Sequence, residues 1–290
     1  MKSSPTWLEF TQQVPKELVE PVSYLFHRYG RGATIEEQPE SPLVTLRTYL
    51  TSGSTWRRAR LEIGVKLIAR VMTVPELKVV EVSERDWEEA WKAHFTLLHI
   101  SARLVVKPSW VEYEPAPGEA VVELDPGMAF GTGHHPTTHG CLEALEEAVT
   151  PGARLLDLGT GSGILSIAAM RLGASHATAL DVDPQACRVA RQNVRAAGLS
   201  RAVRVARGSL PHPRVEDGAY QVATANISAL IVSEKAPYLS RALAPRGVLI
   251  ASGFQASQGP SVEAALTQAG FELEGRRDRE GWLTVVARKA

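Results

Sequence analysis

Cysteine is nearly absent: Cys141 and Cys187 are the two in a chain of 290 residues. That is too few and too unpatterned for a disulfide framework or a zinc site, and both read as reduced small hydrophobes. Charge of one sign is also missing, because 32 Lys and Arg are balanced by 32 Asp and Glu. A chain that coats nucleic acid by bulk electrostatics is thereby disfavoured, and only a local basic face stays open. No apolar run approaches eighteen residues, and the opening MKSSPTWLEF has no apolar segment of a secretory signal. Neither a membrane span nor export is expected, so the chain reads as cytoplasmic, and the Asn226-Ile227-Ser228 sequon has no consequence.

What is present is organised around Leu155 to Leu165, LLDLGTGSGIL. Its apolar run predicts a buried parallel strand, and its glycines let the backbone turn sharply near a ligand at the start of a helix. A dinucleotide fingerprint starting at Gly159 needs a glycine at 164, where Ile164 stands, which weakens the nicotinamide reading. The remaining G-x-G-x-G, with Asp157 two residues ahead of it, is the pattern of S-adenosylmethionine enzymes with a Rossmann-like sheet.

The length suggests two domains. Residues 1–84 alternate as strand (Thr6 to Val14), helix (Pro15 to Tyr29, stopped at Gly30-Arg31-Gly32), strands (Ala33 to Glu37 and Pro42 to Leu50), helix (N-capped by Ser54, to Met72) and strand (Leu77 to Val82). This βαββαβ order predicts a small ferredoxin-like α+β domain. It carries no catalytic constellation, and Arg57, Arg58 and Arg60 read as a solvated face. Residues 85–95 are expected to form a linker helix, with Trp87, Trp91 and Phe95 striping one side. Residues 96–290 read as strands at Leu97 to Val106 and Ala120 to Leu124, then βα alternation ending in two strands near Phe271 to Arg276 and Trp282 to Ala287. That pattern predicts a seven-stranded, mostly parallel sheet with helices on both faces.

A second informative stretch is Asp125 to Thr138, DPGMAFGTGHHPTT. Gly131 and Gly133 allow a tight loop and Pro136 opens a helix, so Thr137 and Thr138 lie at a helix N-terminus, where a carboxylate is stabilised. His135 and His139 have zinc-helix spacing, but Pro136 stands where H-E-x-x-H needs Glu and no further His/Cys cluster completes a site, so no metal is expected. Asp181, ending the second strand, is the natural partner of a ribose hydroxyl, whereas Asp183 before Pro184 reads as a helix N-cap. Ser209 and Leu210 belong to a turn bordering the adenine, and Asn226 ends a central strand where it can touch substrate.

Together ERDWEEAW, DPGMAFGTGHHPTT, LLDLGTGSGILSIAA, ALDVDP and ATANISA resemble the PrmA methyltransferases, which modify the eleventh protein of the large ribosomal subunit. The resemblance implies S-adenosylmethionine as cofactor, held by Thr138, Gly159, Asp181 and Asn226, with Phe130, Thr137, Gly161, Ser209 and Leu210 completing the candidate set. Asn226 is the candidate catalytic residue. The implied activity is methylation of lysine side chains and an N-terminal amine of a large-subunit ribosomal protein by a monomer that binds no membrane and does not bind nucleic acid directly. A ferredoxin-like domain would grip that protein, joined by a flexible linker that lets one active site reach several amines. The first domain departs most from this family. NISA also differs from the N-P-P-Y of glutamine and adenine methyltransferases, which disfavours a planar amide substrate. The same fold acting on another protein or on RNA, and a non-catalytic ribosome-assembly factor, are the alternatives.

Overall fold

The computed structural model describes residues 6–30, 33–37, 41–82, 96–124, 131 and 133–290. Contacts divide the chain into two compact units, one essentially up to Thr96 and the other from Leu97 onward. The expected linker helix over 85–95 and the candidate Phe130 fall outside the described residues.

The first unit contains β1 (Trp7–Pro15), α1 (Val19–Tyr29), β2 (Thr34–Glu37), β3 (Leu43–Thr51), α2 (Thr55–Val71) and β4 (Lys78–Val82). The strands pair antiparallel in the order β2-β3-β1-β4, the ferredoxin-like arrangement. Alternation does the work: Leu8, Phe10 and Val14 of β1 and Val44, Leu46 and Leu50 of β3 point to one face, against Val22 and Phe26 of α1 and Leu61 and Val65 of α2. One local reading changes. Ser54 precedes α2 without capping it, its hydroxyl bonding instead to that of Thr51 at 2.7 Å. Gly30 ends α1 in extended backbone, and β3 passes so close that a Cβ there would collide with Thr48, which explains why glycine stands at the stop. Among the arginines of α2, Arg58 pairs with Glu62 at 2.8 Å and Arg60 lies over the Trp56 ring.

The second unit begins with a small sheet, β5 (Leu98–His99), β6 (Leu104–Lys107) and β7 (Ala120–Glu123). The single strand expected over Leu97 to Val106 is in fact a hairpin. The Ser101 hydroxyl accepts from the backbone N–H groups of Arg103 and Leu104, each at 3.0 Å, and turns the chain back. After α3 (Pro136–Ala148) come β8 (Arg154–Leu158), α4 (Ile164–Arg171), β9 (His176–Asp181), α5 (Pro184–Ala196), β10 (Val203–Arg207), β11 (Tyr220–Asn226), α6 (Ala229–Ala242), β12 (Leu243–Gln255), α7 (Gly259–Gln268), β13 (Phe271–Arg279) and β14 (Trp282–Lys289). The seven strands lie in the order β10-β9-β8-β11-β12-β14-β13, and β14 alone runs against its neighbours on both sides.

Neighbouring residues of the strands split between two cores. Leu155, Ala177, Val203 and Ile250 meet α3, α4 and α5, whereas Leu156, Leu180, Ala223 and Leu249 meet the side covered by α6 and α7. Both faces are therefore apolar, which is why β8 reads as a nearly unbroken hydrophobic run. Pro245-Arg246-Gly247 lies within β12, where Arg246 takes φ 62° and the pairing with β11 shifts register.

Candidate active site

The loops at the carboxyl ends of β8, β9 and β11 gather the candidate residues. At the end of β8 the chain turns with Gly159, Gly161 and Gly163 all at positive φ, 78°, 55° and 87°. Gly159 is further constrained by space, since a Cβ there would collide with Cγ2 of Ile227. Gly163 is the N-cap of α4 in the left-handed conformation, which only glycine adopts without strain. The backbone N–H groups of Gly159 and Thr160 both donate to the Leu180 carbonyl, at 2.8 and 3.0 Å, tying this turn to β9.

Asp157 is the internal anchor of the turn. It is fully buried and accepts from the hydroxyls of Thr160 at 2.7 Å, Ser166 at 2.8 Å and Thr224 at 2.8 Å. Burial raises its pKa, and these donors act in the opposite sense. One carboxylate thus joins the glycine turn, α4 and β11. The sequence marks Asp157 only by its distance from Gly159; its partner Thr224 lies 67 residues away, beyond the reach of any spacing rule.

Asp181 ends β9 and stands beside the same turn. Its Oδ2 accepts from the Gly161 N–H and its Oδ1 from the Asp183 N–H, each at 2.9 Å, while burial raises its pKa. Asp183 takes the separate capping task, accepting from the Gln185 N–H at 2.8 Å ahead of Pro184. Ser209 and Leu210 follow Gly208, whose N–H donates to the Asp181 carbonyl at 2.8 Å; Leu210 is buried.

Asn226 ends β11. Its Nδ2 donates to the hydroxyl of Thr138 at 3.3 Å, and its Oδ1 is buried with no hydrogen-bond partner among the described residues. Thr137 and Thr138 are both buried in the first turn of α3. His135 caps that helix, its Nδ1 accepting from the Thr137 N–H at 3.3 Å, and its ring packs edge-on to Trp282 with centroids 4.7 Å apart. Burial lowers its pKa to about 4, so the imidazole is neutral near pH 7 and fit to accept. His139 pairs instead with Glu143, one turn on, at 3.4 Å. Among the described residues no group of three or more His, Cys, Asp or Glu side chains is placed to hold a metal ion.

A further tie runs between the two glycine-bearing loops. The Ser162 hydroxyl donates to the Gly131 carbonyl, while the Ser162 carbonyl accepts from Asn193 of α5 at 2.8 Å. Neither Ser162 nor Asn193 is marked by any motif spacing, although a buried Asn on an amphipathic helix is itself a signal that it has a partner.

The family model for ribosomal protein L11 methyltransferase (PrmA) matches residues 6–290. The chain belongs to this family. The ribosomal protein L11 methyltransferase of Pelotomaculum thermopropionicum is 41% identical over an alignment covering 97% of this chain and 98% of its own. That of Chloroflexus aurantiacus is 38% identical with 98% of each chain covered. Among solved structures, a ribosomal protein L11 methylase from Lactobacillus delbrueckii subsp. bulgaricus superimposes with TM-score 0.61 at 31% identity, covering 68% of this chain and 100% of that one. In this member of the family, the structure brings Gly159, Gly161, Asp181, Thr138 and Asn226 together around the carboxyl ends of adjacent strands, and Ser209 and Leu210 onto the loop after β10.

Proposed function

We propose that this protein transfers methyl groups from S-adenosylmethionine to lysine side-chain and N-terminal amines of ribosomal protein L11, acting as a cytoplasmic monomer. The observation that carries the site assignment is the buried Oδ1 of Asn226, which has no hydrogen-bond partner among the described residues and lies beside the glycine turn. A buried acceptor without a donor is costly, and such exceptions concentrate where a ligand supplies the missing bond.

When bound, S-adenosylmethionine supplies an electrophilic methyl group on a positively charged sulfur. The backbone at Gly159 and Gly161 would approach it closely, Asp181 would accept from its ribose hydroxyls, and Ser209 and Leu210 would border its adenine. Thr137 and Thr138, at the start of α3, would receive its carboxylate, and Phe130 is proposed as a further cofactor-binding residue. Asp181 fits this task, because each of its oxygens accepts one backbone hydrogen bond among the described residues and retains a further lone pair.

A lysine amine must first lose its proton, which costs about 4–5 kcal/mol at neutral pH from a pKa of about 10.4. A carboxylate beside it would oppose this by holding the ammonium. Asn226 is a neutral acceptor: it orients the amine through Oδ1 without favouring the charged form. No dedicated base is assigned. Water takes the proton, and catalysis rests on proximity and orientation. The ferredoxin-like unit, residues 1–84, serves as the grip on the substrate protein, with 85–95 as linker and 96–290 as the transferring domain.

The test is incubation of the full chain with methyl-labelled cofactor, ribosomal protein L11 and ribosomal RNA, followed by mass spectrometry of the protein. Methyl groups on lysine and α-amines are expected. Label confined to RNA or small molecules would overturn the substrate reading. Asn226→Ala should lower kcat about 10²-fold, as expected for loss of an orienting group, and should also weaken cofactor binding.

A further inference from the structure

The amino ends of β8, β9 and β10 lie opposite the glycine turn. Arg154 stands five positions before Gly159, about 16 Å along β8 at about 3.3 Å per residue. On that end a cavity of ≈ 660 Å³ is lined by Arg154, His176, Thr178, Arg204, Arg214 and Glu216, with Pro213 at its side. Strand pairing sets the basic groups side by side: Arg154 is in register with His176, and Arg204 with Thr178. All four share the face that bears Leu156, Leu180 and Ala206.

Although α6 and α7 cover this side of the sheet, no residue of either helix lines the cavity. Between β10 and β11 the chain crosses this face as a loop over residues 208–219, which brings Arg214 and Glu216 to the rim. Arg154 is held in place, its guanidinium 5.2 Å from the Tyr220 ring centroid and 3.3 Å from Glu216. The Tyr220 hydroxyl lies 3.0 Å from the Thr178 hydroxyl and 3.4 Å from the Arg214 carbonyl, and its single proton is shared between them, fixing the floor to the loop. Three guanidinium groups thus face one carboxylate, and Arg204 and Arg214 have no ion pair among the described residues. The contrast within the same sheet is informative: on β13 and β14, Arg276, Arg277, Arg279 and Arg288 each meet a glutamate. His176 senses the excess, since burial and then the charges of Arg204 and Arg154 lower its pKa while Glu216 acts to raise it.

We propose that this cavity is a second binding site, separate from the methyl-transfer site, for phosphate groups. Converging guanidinium groups with a hydroxyl at the floor suit phosphate oxygens, which accept charge-assisted hydrogen bonds from several directions. The phosphate can be that of a small ester or that of a nucleic-acid backbone.

The test uses inorganic pyrophosphate and the full chain, by calorimetry at low ionic strength. Binding that weakens with salt is expected, with affinity about tenfold or more lower in the double variant Arg204→Gln, Arg214→Gln, the worth of one charge-assisted hydrogen bond. Pyrophosphate should also raise the NMR titration midpoint of His176 in the wild type and not in the variant, because the anion offsets the neighbouring guanidinium charges. Displacement of pyrophosphate by a short single-stranded oligoribonucleotide identifies a nucleic-acid backbone as the source, and failure to displace it identifies a small phosphate ester. No pyrophosphate binding, or equal affinity in wild type and variant, overturns the proposal. The variant's methyl transfer should be unchanged, since neither arginine touches the glycine turn.

Discussion

Replacing Asp157 by Ala tests whether one buried carboxylate holds the glycine turn. Three hydroxyls donate to it, from Thr160, Ser166 and Thr224. Ser166 sits in α4 and can turn its hydroxyl to a carbonyl of its own helix. Thr160 and Thr224 are left, both buried, and each unsatisfied hydroxyl costs about 1–3 kcal/mol. The expected loss is about 2–6 kcal/mol, a large fraction of the roughly 5–15 kcal/mol typical of a domain. Asp157→Asn keeps the shape and an acceptor, so its loss should stay below about 1.5 kcal/mol.

The pH dependence separates these variants further. Burial raises the pKa of Asp157, so as pH rises the unfolded carboxyl releases its proton before the folded one. Between the ordinary value of about 3.9 and the raised native value the folded state binds more protons, and stability falls with rising pH by at most about 1.4 kcal/mol per unit. Asp157→Asn lacks this decline. Urea denaturation from pH 4 to 8 measures both effects. An Asp157→Ala variant within about 1 kcal/mol of wild type, or parallel pH curves for wild type and Asp157→Asn, would refute the reasoning.

Three other outcomes are expected. Gly159→Ala should be destabilising by about 1–3 kcal/mol, from its positive φ and the collision with Ile227, and should weaken cofactor binding in calorimetry; adding Ile227→Ala should recover part of the loss. Asp181→Ala should weaken cofactor affinity about tenfold or more through loss of its bonds to ribose, and an unchanged Kd would reject that role. His135, with its pKa lowered to about 4 by burial, binds its proton later than the unfolded chain as pH falls. Stability should therefore drop from about pH 6.5 toward about pH 4, and thermal melts of His135→Asn should lack that component.

Much of the fold is legible in the sequence because its signals are local. Glycines at 159, 161 and 163 announce a turn that needs positive φ, and the apolar runs around them announce strands covered on both sides. Asp183 before Pro184 reads as a cap and is one. The hairpin between β5 and β6 is missed because apolar residues dominate Leu97 to Val106, and the turn depends on a single hydroxyl at Ser101. At Pro245-Arg246-Gly247, residues common in turns are absorbed as an irregularity within β12. The candidate site is legible residue by residue but not as a network. The bond between Asn226 and Thr138 spans 88 positions, and the Oδ1 that has no partner among the described residues follows from how β11 and α3 meet, which spacing does not encode. The arginine-lined cavity is invisible for the same reason: its groups come from three strands and a loop.

The last strand carries a consequence for the order in which the protein becomes competent. β14 is inserted between β12 and β13, and it seats the helix that opens the site: Trp282 packs on His135, and Gly140 leaves room for Thr284. Arg277 and Arg279 of β13 then clasp Glu147 and Glu143 of the same helix. A chain emerging from the ribosome presents its glycine turn more than a hundred residues before this support exists. Helix α3, and with it Thr138, gains its footing only when the final hairpin closes, so a nascent chain has the loop without the enzyme.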